Sequence, residues 1–174
     1  MLDENRHQPT VLAATFARTH VKYSHRKAAL FGFFSNGSSV FESLWYGMFA
    51  AGSMLQPGHF PFVTAQQKRA VTASTTIAAY KAAYPGDAIV PLLEAAAKHS
   101  SLHELRDIRN VLSHRTAPGR TIQATIGGAV SEPDRWKLAD IVLDDAATSS
   151  RRAQTSHLFS SMMDGFRVFA LAHF

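Results

Sequence analysis

Apolar residues recur at helical spacing through most of this chain, and only a few Pro- and Gly-containing clusters interrupt them. That period belongs to helices with one buried side. Over residues 10–34, Leu12, Phe16, Val21, Ala28 and Phe31 keep the spacing, and Asn36-Gly37 reads as the stop. Ser39, with Glu42 three residues on, reads as a capping box that opens a second helix. Phe41, Leu44, Trp45, Met48 and Phe49 make that helix apolar on nearly every side, which predicts a central position. Gln56-Pro57-Gly58-His59-Phe60-Pro61 reads as a loop.

A third helix is expected over residues 64–84, capped by Thr64 with Gln67 and stopped by Pro85-Gly86-Asp87. A fourth covers residues 87–99, where Pro91 is tolerable only near the first turn. Ser101, with Glu104, reads as the cap of a fifth helix, which Ala117-Pro118-Gly119 ends. The period then changes. Residues 121–126 alternate with period two, and residues 136–143 do so less cleanly, with Gly127-Gly128 and Glu132-Pro133-Asp134 between them. They read as a small hairpin or two short extended segments. A last helix from about residue 148 onward presents Leu158, Phe159, Met162, Phe166, Phe169 and Ala170 on one side. The expected fold class is therefore all-α: a bundle of about five to six helices with a small β-hairpin before the last helix. One domain over residues 1–174 is expected, long enough to bury a sizeable core.

Composition narrows the function classes. Apolar residues make up 46% and charged residues 18%, which excludes a disordered chain. The absence of Cys excludes a disulfide framework, thiolate catalysis and a Cys-ligated zinc site. The polar N-terminus does not read as a signal peptide, and the most apolar run, residues 40–55, is too short for a bilayer and carries Glu42. A cytoplasmic protein with no membrane association is expected. A net charge of +5 suits a polyanionic partner, and it equally suits a merely basic surface.

The segment Leu105-Arg106-Asp107-Ile108-Arg109-Asn110-Val111-Leu112-Ser113-His114-Arg115 carries the strongest chemical signal. Leu102, Leu105, Ile108 and Leu112 share one side of this helix, and Arg106, Asn110 and His114 follow one another on the other, with His103 above Asn110. Arg109 lies about 140° round from His114, at the border of the apolar stripe. One straight helix does not bring both tips to one phosphate, whereas two helices across a two-fold axis can. An imidazole titrates near neutrality and can move a proton. A guanidinium can bond two phosphate oxygens at once. Together they suffice to cut RNA, whose 2′-OH is a nucleophile already in place. The bare Arg-to-His spacing is weak, because Arg18 to His25, Arg151 to His157 and Arg152 to His157 approximate it in this same chain. Asn110 and the capped, two-faced helix around it give the motif its specificity.

On these residues the chain resembles the HEPN domains, whose signature is Arg, a polar residue, three more and then His on a late helix. Arg109, Asn110 and His114 match it. The resemblance implies a helical bundle that forms a homodimer through the motif helix. It implies metal-independent endoribonuclease activity with no cofactor, in toxin–antitoxin, phage-defence or RNA-processing settings. RNA and an antitoxin or regulatory protein are the implied partners. His114 is then the general base or acid, Arg109 the phosphate clamp and Asn110 the orienting group; from the residues themselves, Arg106, His103 and Arg115 read as further RNA contacts or as ordinary solvated side chains. The chain departs from one subgroup, in which a Tyr follows two residues after the His; Thr116 stands there.

Other readings compete. The same residues on a solvated helix face would make a non-catalytic module that dimerises or binds RNA or protein. The nine His suggest a metal, yet His99 and His103 are separated by Ser100-Ser101, and His20 and His25 have no nearby carboxylate, so no metal is expected. Lys22, Arg26 and Lys27 form a basic face on the first helix, most simply a solvated one.

Overall fold

The computed structural model describes the backbone of residues 8–113, 119–121, 135–138, 141–143 and 145–174, and the side chains of residues 28–112, 143 and 146–174. Six helices are present among them: α1 (Gln8–Leu55), α2 (Ala65–Arg69), α3 (Ala73–Ala83), α4 (Ile89–Ala97), α5 (Ser100–Ser113) and α6 (Asp145–His173). Helix α1 packs against α3, α5 and α6; α4 packs against α3 and α6; and α5 packs against α6. The helical bundle expected from the apolar period is there.

The two expected N-terminal helices are one. Helix α1 runs through Asn36-Gly37 without a break. A Cβ on Gly37 would stand 3.2 Å from Leu105 Cδ1, so this glycine sets how closely α5 approaches α1. Glycine inside a helix costs about 1 kcal/mol relative to alanine. Burial of Phe34, Phe41, Trp45, Met48 and Phe49 along the same helix outweighs that several-fold. Ser39 caps nothing: its hydroxyl donates back to the Ser35 carbonyl at 3.1 Å. The apolar second half of α1 is central on one side only, since Val40, Tyr46 and Met54 stay exposed.

The expected third helix is two. Thr64 and Gln67 form the box read from sequence, with Thr64 Oγ1 accepting from Gln67 N at 3.2 Å and Gln67 Oε1 from Thr64 N at 2.9 Å. A second box follows, where Thr72 Oγ1 accepts from Thr75 N and Thr75 Oγ1 from Thr72 N. Threonine hydroxyls offer the backbone a partner outside the helix, and here that competition wins. Gly86 turns the chain after α3 at φ 89°, a left-handed conformation that suits glycine. Asp87 Oδ1 then accepts from Ile89 N at 2.8 Å to start α4. Pro91 sits in the first turn of α4, where its missing N–H costs little.

The expected single small β-hairpin before the last helix is corrected, because the described strands number three and form a small sheet. In its place are three short antiparallel strands in the order β1-β2-β3: Gly119–Thr121, Arg135–Leu138 and Ile141–Val142. The residues that read as one strand, 136–143, hold two, paired with each other at Lys137↔Val142 and Leu138↔Ile141. Ala139-Asp140 breaks the alternation between them, and Asp favours turns over strands. Of the expected strand 121–126, only Thr121 lies among the described residues.

The core is aromatic. Phe60 packs edge-on against Phe49 and Tyr80, and Tyr80 packs edge-on against Phe169 of α6. The Tyr80 hydroxyl donates to the Met48 carbonyl at 2.8 Å, which satisfies the one polar atom in that stack. Burial, and then the nearby Tyr84, hold the Tyr80 phenol well above its usual pKa. Among the described residues, no helix is long and apolar enough to cross a membrane.

Candidate functional site

Helix α5 presents the expected sides. Leu105 and Ile108 are fully buried, Leu102, Val111 and Leu112 are partly buried, and Arg106 and His103 are exposed. Arg109 and Asn110 are half-buried at the edge of the stripe. The start of the helix differs from expectation. The Ser101 N–H donates to His99 Nδ1 at 3.2 Å, and the Ser101 hydroxyl donates to Gln154 Oε1 of α6 at 3.1 Å. Glu104 leaves the cap to pair with Arg151 of α6 at 2.7 Å. The predicted Ser101–Glu104 box is thus replaced by two ties that hold α5 to α6.

Arg109 reaches across to α1. Its Nη1 donates to Glu42 Oε1 at 2.7 Å and to Ser38 Oγ at 3.4 Å, while Nη2 donates to Asn110 Oδ1 at 3.5 Å. The first bond is a short, charge-assisted one, and the other two are at the weak end of hydrogen bonding. Ser38 is buried, so the guanidinium is held over a fixed point of the α1–α5 seam. Arg106 sits one turn earlier, and its Nη2 lies 3.1 Å from His103 Nδ1. The structure therefore joins Arg109 with Asn110 and, separately, Arg106 with His103. His114 and Arg115 lie outside the described residues.

Sequence reasoning missed Ser38 and Glu42 as members of this site. In the sequence Glu42 reads as part of a cap. One signal was available: it is the sole carboxylate between Glu4 and Asp87, set in an apolar helix. A lone carboxylate there attracts a cation from a neighbouring helix, although the sequence does not say which.

Between α1, α3 and α5 runs a groove of about 670 Å³ whose wall includes Ser38, Glu42 and Arg106. Trp45, Tyr46, Ile77 and Leu102 supply its apolar surface. The groove shares two residues with the Arg109 cluster and so forms one continuous surface with it.

A second set of titratable groups lies at the end of α3. His173 Nε2 is 3.0 Å from Asp87 Oδ2, and the His173 ring packs on Phe169 and Tyr84. The Ile89 N–H first, and then His173, hold the Asp87 carboxyl below its ordinary value of 3.8. Burial is the main cause that raises Tyr84. Among the described residues, no three His, Asp or Glu side chains come together as a metal site would require.

No family model, no curated protein and no solved structure matches the chain. The functional reading rests on the residues themselves.

Proposed function

We propose that this chain is a dimeric, HEPN-like endoribonuclease that cleaves RNA without a metal. One observation carries the reading most: Arg109 is fixed at a helix seam beside Asn110 instead of extending into solvent. A phosphate clamp needs that fixed geometry. The Glu42 pair does not preclude the role. With Arg109 31% and Glu42 62% exposed, the pair contributes at most about 1 kcal/mol, and a phosphate can displace the carboxylate.

In this mechanism His114 of one protomer takes the proton from the 2′-OH, whose oxygen attacks the adjacent phosphorus. Arg109 neutralises the charge that develops on the phosphoryl oxygens, and Asn110 orients the phosphate or the imidazole. The second protomer's copy of His114 gives a proton to the departing 5′-oxygen. The products are a 2′,3′-cyclic phosphate and a 5′-hydroxyl end. Arg106, His103 and Arg115 extend the cationic track along the RNA backbone. DNA lacks the attacking hydroxyl and is not cut. Acting on cellular RNA, the protein would work in the cytoplasm as a toxin or defence effector restrained by an antitoxin or regulatory protein.

A second reading is favoured by the same ion pair: Glu42 neutralises Arg109, as suits a non-catalytic helical module. Incubating the protein with structured RNA in EDTA separates the two. Cleavage that Arg109→Ala and His114→Ala each abolish supports the enzyme. Intact RNA with a stable dimer supports the module.

A further inference from the structure

We infer that the groove between α1, α3 and α5 is a base pocket that receives one unpaired guanine of the RNA whose backbone the motif helix holds. The inference rests on the ribonuclease reading for its substrate and on three observations for its site.

The first is position. Ser38 and Glu42 line the groove and also bond Arg109, while Arg106 lines it from the motif helix. A nucleotide whose phosphate lies on Arg106 therefore has its base within reach of the groove. The second is shape. At about 670 Å³ the space falls within the roughly 300–1,000 Å³ typical of sites that take small ligands. Its wall combines Tyr46, which is exposed enough to stack, with Trp45, Ile77 and Leu102. Flat rings with apolar faces suit such a wall. The third is polarity. The groove carries one carboxylate and one guanidinium, Glu42 and Arg106. A carboxylate only accepts hydrogen bonds, and a guanidinium only donates them. Once a phosphate has displaced Glu42 from Arg109, guanine presents two adjacent donors, N1–H and the 2-amino group, to the freed carboxylate, and the phosphate of the same nucleotide serves Arg106. Adenine and uracil lack that pair of neighbouring donors.

Binding of labelled 2′-O-methyl RNA hexamers tests this, because they lack the attacking hydroxyl and cannot be cut. One hexamer is all uridine, one carries a single guanosine and one a single adenosine; fluorescence anisotropy with the full-length chain gives each Kd. The guanosine hexamer is expected to bind about tenfold tighter than the other two. Glu42→Gln removes that preference. Ser74→Trp, which fills the groove from an exposed position on α3, also removes it, and its melting temperature checks the fold; Tyr46→Ala is the second variant should it not fold. Arg106→Ala weakens all three hexamers alike and reduces the salt dependence by about one ion. Equal binding of the three hexamers overturns the inference, as does no binding, or a guanosine preference that survives both Ser74→Trp and Tyr46→Ala. Cleavage of unmodified RNA without any guanosine preference overturns the pocket and leaves the nuclease. A guanosine preference without cleavage leaves the pocket and overturns the nuclease.

Discussion

Arg109 and Arg151 each pair with a glutamate, but the two pairs sit in different solvent. Arg109–Glu42 is open, whereas Arg151 is 17% and Glu104 35% exposed. An open pair adds little to stability, while removing one partner of a sheltered pair leaves a charge poorly solvated. Glu42→Gln is therefore expected to change the unfolding free energy by less than about 1 kcal/mol, and Glu104→Gln to cost more than Glu42→Gln, both read by urea denaturation. Asp87 gives a pH signature. Its folded-state pKa lies below its ordinary 3.8, so its charge stabilises the fold above that value and ceases to do so as pH falls through the folded pKa. The melting temperature of Asp87→Asn should fall short of the wild type at about pH 5.5, and the gap should close as pH drops below 3.8. Neither Glu42–Arg109 nor Asp87–His173 was legible in the sequence, because 67 and 86 residues separate the partners. The half-buried position of Arg109 was legible, since it follows from helix geometry and the apolar stripe of its own helix alone.

Elements were legible where local chemistry decides them. Pro85-Gly86 stops α3, Thr64 and Gln67 cap α2, and the stripe of α5 buries Leu105 and Ile108, all as the residue pattern requires. The pattern misled where a distant residue decides. Asn36-Gly37 has the form of a helix stop, yet its glycine serves the crossing with Leu105. Gly52 makes the same point more strongly. A Cβ there would stand 2.5 Å from the Phe60 ring, which is fully buried between Phe49 and Tyr80 and has nowhere to move. Gly52→Ala should thus destabilise the fold by about 1–3 kcal/mol through overpacking, despite the gain in helix propensity. An unchanged or raised melting temperature would show that the ring can yield.

At the scale of the molecule, 48 residues of α1 make a rod about 72 Å long, along which α3, α5 and α6 pack. The bundle holds α5 rigidly: Leu105 and Ile108 are buried, Glu104 ties to α6 and Arg109 ties to α1. A firmly held α5 is what the proposed shared cleft needs, because helical spacing in the sequence sets Arg109 about 140° from His114. Sedimentation is expected to give a mass near twice the 19.1 kDa of one chain. A monomer at micromolar concentration would remove the shared cleft.

Cleavage itself tests the central claim most directly. Structured RNA incubated in EDTA with the wild-type chain should be cut to fragments ending in a 2′,3′-cyclic phosphate, and His114→Ala should slow the cutting by about a hundredfold or more. RNA left whole by the wild-type chain, or cut equally fast by His114→Ala, would contradict the account.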